Sequence, residues 1–278
     1  MILMEKLNEL SFMKMHGLGN DFVVLDLRMS SYKVDKKFIK HLSNRNKAVG
    51  FDQLVIINEA KESNLSLTFF NADGSRTSTC GNATRCVAHY EMRRLGLKSI
   101  EIRTDRGILE ARLLDDLKTS VNMGHPLLNW VEIPLSQNLD TLRLPIEGSP
   151  TATGMGNPHC TFFVENADDK DLEDYGRRFE NHPLFPEGTN VQIAHVSEKN
   201  YLRMRVWERG VGHTLASGSS ACASAVASAR LGLTGKCVTV KLDGGELQID
   251  WQDDGVWMAG ESTHVFSGNL TDEFFKGI

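Results

Sequence analysis

What most constrains the fold of this 278-residue chain is that the sequence reads twice. Gly17-Leu18-Gly19-Asn20 returns as Gly154-Met155-Gly156-Asn157, an offset of 157 − 20 = 137. Leu-Ser-Leu-Thr-Phe-Phe at 65–70 returns as Leu-Arg-Met-Arg-Val-Trp at 202–207, with 202 − 65 = 137. Cys80-Gly81 returns as Ser217-Gly218, again 217 − 80 = 137. The helices that follow end in Arg94-Leu95-Gly96-Leu97 and Arg230-Leu231-Gly232-Leu233, one residue out of step. Each then enters a strand, a tight turn (Asp105-Arg106-Gly107; Asp243-Gly244-Gly245) and another strand. Five matches in order at nearly one spacing indicate a tandem duplication.

Alternation such as Ser66-Leu67-Thr68-Phe69 and Val238-Thr239-Val240-Lys241-Leu242 reads as half-buried strand. The spacing predicts helices over 82–95 and 220–231, the second mostly Ala and Ser and therefore buried nearly all round. The expected fold class is α+β: two pseudo-symmetric domains, each an antiparallel sheet wrapped around a central helix. Their expected extents are 11–130 and 131–278, with the last residues crossing back to the first domain. Pro126, Pro134, Pro145 and Pro150 punctuate the boundary zone.

With 24% charged residues and a formal net charge of −5, and no polybasic run, the chain shows no nucleic-acid or membrane surface. Residues 1–10 lack the apolar core of a signal peptide, and no apolar span reaches about 18 residues, so a cytoplasmic location is expected. The five cysteines (80, 86, 160, 222, 237) are odd in number and form no C-x-x-C pair, which argues against a disulfide framework or a zinc site. Four of them read as buried small hydrophobes.

Cys80 is the exception. It follows an apolar strand and a polar turn and directly precedes a helix, beside the amides of Gly81 and Asn82. Helix N-terminal amides favour negative charge, so they can hold a carboxylate and help to ionise a thiol. The duplication puts Ser217, with Gly218 and Ser219, in the equivalent place. Two such helix ends facing each other across a cleft would clamp a carboxylate while one base removes an α-proton and another returns one to the opposite face. That is stereoinversion of an α-amino acid. No lysine-centred pyridoxal phosphate motif appears, and Gly17-Leu18-Gly19-Asn20 is too short for a dinucleotide fingerprint, so no cofactor and no metal are expected.

His16-Gly17-Leu18-Gly19-Asn20-Asp21-Phe22, Asn71-Ala72-Asp73-Gly74-Ser75, Cys80-Gly81-Asn82, Gly156-Asn157-Pro158-His159-Cys160 and Trp207-Glu208-Arg209-Gly210 resemble the diaminopimelate epimerase family, from about Phe12 to the C-terminus. The resemblance implies a cytoplasmic, cofactor-independent, two-domain isomerase, usually a homodimer, converting LL-diaminopimelate to the meso form in lysine and cell-wall synthesis. It implies Cys80 as one acid/base, with the amides of Gly81, Asn82, Gly218 and Ser219 on the reacting carboxylate. Asn20, Asn71, Asn157, Asn190 and Arg209 would hold the distal carboxylate, Glu208 the distal ammonium, and His159 would lie near the reacting centre. Guanidinium and amide groups suit a carboxylate, and a carboxylate suits an ammonium.

The chain departs from the family at one motif. Ala-Cys-Gly-Thr/Ser-Gly is here Ala216-Ser217-Gly218-Ser219-Ser220, and His213 stands where many members carry Glu. A serine hydroxyl does not ionise usefully without an adjacent base. His213, four residues away, is one candidate partner for Ser217. A one-base racemase or dehydratase acting on another amino acid, an impaired or engineered Cys-to-Ser epimerase, and an amino-acid-binding protein are the alternative readings.

Overall fold

The computed structural model describes residues 10–78 and 80–277; residues 1–9, where most of the leader reading falls, lie outside the described residues, as do Thr79 and Ile278. The chain divides into two compact units. Unit 1 comprises Met1–Gly17, Asp21–Thr119 and Glu261–Ile278; unit 2 comprises Leu18–Asn20 and Ser120–Gly260. Unit 2 therefore begins at Ser120 rather than at 131 and takes in Leu18–Asn20, while the last residues, from Glu261, group with unit 1.

Unit 1 contains β1 (Leu10–Gly17), β2 (Asn20–Asp26), α1 (Lys36–Leu42), β3 (Gln53–Asn58), β4 (Leu65–Asn71), β5 (Arg76–Thr77), α2 (Gly81–Leu95), β6 (Ser99–Thr104) and β7 (Gly107–Leu113). β2 runs parallel to β3, with Phe22 opposite Gln53, and β3 is antiparallel to β4, with Gln53 opposite Asn71. β4 runs parallel to β6, and β6 and β7 form a hairpin. The sheet is thus mixed where antiparallel pairing was expected. The reason is in the connections: α1 and α2 supply the long crossovers that parallel neighbours need. The C-terminal strand β17 (Thr263–Leu270) pairs antiparallel with β1.

Unit 2 repeats this order with β8 (Lys118–Asn122), β9 (Thr151–Gly154), β10 (Pro158–Phe163), α3 (Leu172–Phe179), β11 (Asn190–Glu198), β12 (Tyr201–Glu208), β13 (Gly212–Thr214), α4 (Gly218–Arg230), β14 (Cys237–Leu242), β15 (Gly245–Gln252) and β16 (Gly255–Glu261). β10 is parallel to β11, with His159 opposite Asn190; β11 is antiparallel to β12, β12 parallel to β14, and β14 antiparallel to β15. The registers obey the sequence offset: Phe22 opposite Gln53 becomes His159 opposite Asn190, 137 positions later in both partners.

Local chemistry sets the helix ends. Asp35 caps α1 by accepting from the Phe38 amide at 2.8 Å, and Asp171 caps α3 by accepting from Glu173 and Asp174. Gly96 ends α2 with φ +67°, a left-handed conformation that glycine adopts without Cβ strain. The central helix α4 is buried from Ser220 to Ser228, as its Ala/Ser composition predicts.

The proline-punctuated zone is no loose linker. Ile133, Leu135 and Leu144 are buried with Cys160, Phe162, Phe179, Phe185 and Val191 in the core of unit 2. In unit 1 the corresponding core joins Val23, Leu25, Phe38, Ile39 and Leu54. Cys86, Cys160 and Cys222 are buried as expected, but Cys237 is exposed, because β14 alternates and its first residue faces out.

Candidate active site

Cys80 is the N-cap of α2. Its backbone is extended (φ −146°, ψ 105°) and its Sγ accepts from the Ala83 amide at 3.5 Å. The amides of Gly81 and Asn82 are the first two of the helix and have no intrahelical acceptor by position. Asn82 Oδ1 accepts from Arg85 Nη1 at 3.0 Å, and the buried Arg85 also donates to the Glu261 carbonyl from Nε and Nη2. At the end of β4, Asn71 donates to Ser75 Oγ at 3.0 Å and accepts a long bond from Gln53 Nε2 at 3.4 Å. The other end of that amide, Gln53 Oε1, is buried and has no hydrogen-bond partner. Burial pushes the Cys86 and Cys160 thiols up, so neither is a thiolate candidate.

Asn20 opens β2 and is half-buried. Beside it, Asp21 is held by Lys14 at 2.5 Å and by Arg45 at 2.7 and 2.9 Å. Burial acts to raise the Asp21 pKa, but the hydrogen bonds and charges of Arg45 and Lys14 outweigh it and lower the value to about 2.

In unit 2, Ser217 is the N-cap of α4 with nearly the same backbone as Cys80 (φ −136°, ψ 113°), yet its side chain makes no cap hydrogen bond. Its hydroxyl lies 2.9 Å from Glu208 Oε2 and 3.0 Å from Ser220 Oγ. Thr214 Oγ1 donates to the other Glu208 oxygen at 2.6 Å. Ser220 Oγ is 3.1 Å from Gln192 Nε2 and 3.4 Å from His159 Nδ1. Gln192 Nε2 also lies 3.1 Å from His159 Nδ1, and His159 Nε2 lies 2.9 Å from Asn157 Oδ1. Asn157, His159, Glu208 and Ser217, all singled out in the sequence, thus meet in one polar network.

One expected arrangement is corrected. His213 does not pair with Ser217: its Nε2 lies 2.8 Å from Asp243 Oδ2, and Asp243 is bound in turn by Arg203. Strand alternation is the cause, since in β13 Thr214 faces Glu208 and its neighbour His213 points to the other side. Glu208 accepts from Ser217 and from Thr214, one bond to each carboxylate oxygen.

Asn190 Nδ2 donates to the Pro158 carbonyl and its Oδ1 accepts from the Arg209 amide, so its side chain sets the backbone at Arg209. Arg209 Nη1 donates to the Glu187 carbonyl at 2.6 Å, which leaves Nε and Nη2 without a protein partner among the described residues. Glu180 braces the same turn, accepting from Trp207 Nε1 at 2.8 Å and from the Gly210 amide at 2.7 Å.

Gln53, Gln192, Ser220 and Glu180 escaped the sequence reading. For Gln53 a signal existed: 190 − 137 = 53 makes it the repeat mate of Asn190. Among the described residues no cluster of three His, Cys, Asp or Glu side chains could hold a metal ion, and no helix is long and apolar enough to cross a membrane.

The family model of diaminopimelate epimerase matches residues 12–128 and 151–265. The chain is 42% identical over 273 residues to the diaminopimelate epimerase of Rhodospirillum centenum, covering 96% of this chain and 94% of that one. It is 44% identical to that of Zymomonas mobilis, covering 93% and 96% of the two chains. Among solved structures, a predicted epimerase from Pseudomonas aeruginosa superposes with a TM-score of 0.68 at 13% identity, covering 94% of this chain and 99% of that one. A hydroxyproline epimerase from Agrobacterium vitis superposes with a TM-score of 0.67 at 10% identity, covering 95% and 93%; at these identities the likeness is one of fold. By the extent of the family match and by identity along nearly its whole length, the chain belongs to the diaminopimelate epimerase family.

Proposed function

We propose that Cys80 supplies one acid/base group and that Glu208, acting through the Ser217 hydroxyl, supplies the other. The reaction is that of the family: LL-2,6-diaminopimelate is inverted at one α-carbon to give the meso isomer, an isomerisation that serves lysine synthesis. The observation that carries the proposal is the 2.9 Å contact between Ser217 Oγ and Glu208 Oε2.

The step balances without a free alkoxide. The α-C–H bond breaks as a new O–H forms on Ser217, while the original Ser217 proton passes to Glu208. Cys80 then gives its S–H proton to the opposite face of the carbanion. The reverse reaction runs the same transfers backwards. Helix amides stabilise the enolate-like charge that develops: Gly81 and Asn82 on α2, Gly218 and Ser219 on α4. Ser217 does not cap α4, so it does not compete for those amides. These groups are enough for the chemistry, and the route uses no cofactor and no metal.

The substrate is a diamino-dicarboxylate. Arg209 Nε and Nη2 suit its distal carboxylate, with the amides of Asn20, Asn71 and Asn157 beside them in role and Asn190 fixing the Arg209 backbone. The buried, unpartnered Gln53 Oε1 suits the distal ammonium that the sequence reading assigned to Glu208. A cytoplasmic location fits the half-exposed catalytic thiol, which a reducing compartment preserves. A homodimer is also part of the proposal. Val265 and Phe266 on β17 are about half exposed, at 53% and 48%, and a second copy would cover them.

The test is α-proton exchange into deuterated water with LL- and meso-diaminopimelate, followed by chiral separation. The chain should exchange with inversion, and Glu208→Gln should lose inversion by two orders of magnitude or more. Inversion by Glu208→Gln within twofold of the native rate would sink the relay.

A further inference from the structure

Thr161, Gln192 and His159 form a polar chain inside unit 2 that the route above leaves unused, and all three are fully buried. The pairing of β10 with β11 sets Thr161 opposite Gln192, and His159 lies on the same face of β10, two residues back. The partners fix the direction of each proton. Thr161 Oγ1 donates to Gln192 Oε1 at 3.1 Å, so the nitrogen end of the Gln192 amide is the one that lies 3.1 Å from His159 Nδ1. An amide nitrogen only donates; Nδ1 therefore accepts, and the ring proton sits on Nε2. Nε2 lies 2.9 Å from Asn157 Oδ1 and donates to it. Asn157 is half-buried in the turn before β10, and its Nδ2 has no protein acceptor among the described residues.

We propose that Gln192 is a positioning residue for substrate binding: it fixes the His159 proton on Nε2, and His159 then holds the Asn157 carbonyl and leaves the Asn157 N–H bonds for the substrate's distal carboxylate. The inference rests on the assignment of Asn157 to that carboxylate. The two ends of an asparagine amide have nearly the same shape, so a half-buried one can turn over. Only the nitrogen end attracts a carboxylate; the oxygen end repels it. A donor placed behind the carbonyl selects the attractive orientation before the substrate arrives, which spares binding the cost of ordering it.

The duplication shows that the strands themselves do not require these polar groups. The repeat mates of Asn157, His159, Thr161 and Gln192 are Asn20, Phe22, Val24 and Val55, at 157 − 20 = 159 − 22 = 161 − 24 = 192 − 55 = 137. Val24 lies opposite Val55 as Thr161 lies opposite Gln192, and Phe22, Val24 and Val55 are fully buried. Unit 1 thus builds the same strand pair with an apolar interior. Burying three polar side chains in unit 2 costs free energy unless each is hydrogen-bonded. Here every bond along the chain donates in one direction, from Thr161 to Asn157.

The experiment records the ¹⁵N shifts of the His159 ring and measures KM and Tm for Gln192→Met, Thr161→Val, Asn157→Ala and the Gln192→Met, Asn157→Ala double variant. Gln192 also donates to Ser220 Oγ at 3.1 Å, so KM rather than kcat is the readout. The native ring should show a protonated Nε2 and a bare Nδ1. Gln192→Met keeps the length and removes the donor; the ring should become a mixture of tautomers and KM for diaminopimelate should rise about tenfold. Thr161→Val frees the Gln192 amide to turn over and should raise KM about threefold, and it answers the question if Gln192→Met does not fold. With Asn157 already replaced by Ala, Gln192→Met should move KM less than twofold, whereas a loss of packing alone would persist. A native ring protonated on Nδ1, or a KM loss that Asn157→Ala does not diminish, overturns the proposal. If Asn157→Ala raises KM while Gln192→Met and Thr161→Val do not, Gln192 alone is overturned. If Asn157→Ala keeps the native KM, the assignment of Asn157 to the carboxylate falls and the positioning role falls with it.

Discussion

The α2 and α4 N-termini share a backbone but hold their functional side chains in opposite ways. Cys80 turns back on its own helix and accepts from the Ala83 amide; Ser217 turns away from its helix to Glu208 and Ser220. The repeat mate of Glu208 is Asn71, which is neutral and bonded to Gln53 and Ser75. A thiol therefore sits with no carboxylate at the equivalent place, and a hydroxyl sits with one. The lesson is that a duplicated fold can offer two equivalent positions while a side chain's acidity decides how much machinery each requires.

The largest effect should come from moving the serine to the wrong half. Cys80→Ser should lose about a thousandfold in kcat, as much as Cys80→Ala, because Asn71, Ala83 and Phe22 cannot act as its base. Activity of Cys80→Ser within tenfold of native, measured by chiral separation of products, would break the comparison. Ser217→Ala removes the relay atom while keeping Glu208, and should cost about a hundredfold in kcat with little change in KM.

Next comes the brace on the Glu208–Arg209 turn. Glu180→Gln keeps shape but weakens two charge-assisted acceptor contacts, so KM for diaminopimelate should rise about tenfold. An unchanged KM would show that Asn190 alone holds the turn.

Two smaller effects concern stability. Asp21 has its pKa lowered from 3.8 to about 2. A depressed carboxylate stabilises the fold above its unfolded value, and that contribution disappears as pH falls from about 4 through about 2. The stabilisation is about 2 kcal/mol. Asp21→Asn should therefore lower the urea midpoint at pH 6, and the difference from the native chain should close as pH approaches 2. The repeat mate of Asp21 is Pro158, so unit 2 has no carboxylate at the equivalent position. Least of all, Gly96→Ala places a Cβ at φ +67° with no neighbour within 4 Å, so only backbone strain acts, and thermal denaturation should report a loss of about 1 kcal/mol.

Much of this was legible in the chain. The offset of 137 predicted both helix N-termini, and the structure repeats it strand by strand in the pairings of β2 with β3 and of β10 with β11. The parallel pairs were not legible, because alternation reports which face of a strand is buried and not which neighbour it meets. Nor was the network behind Ser217. Ser220 meets His159 across 61 positions and Gln192 across 28, and only the β10–β11 register brings those two side chains together.

The sequence by itself determined the duplication, the placing of Cys80 and Ser217 at helix starts, and the family, since these rest on local pattern and on residue identity along the chain. The partner of Ser217 was decided only by tertiary structure. His213 and Glu208 are both near it in sequence, but pleating in β13 sends His213 to Asp243, while the end of β12 brings Glu208 to the hydroxyl. Proximity along a chain limits which groups can meet, and the face each residue occupies selects which ones do.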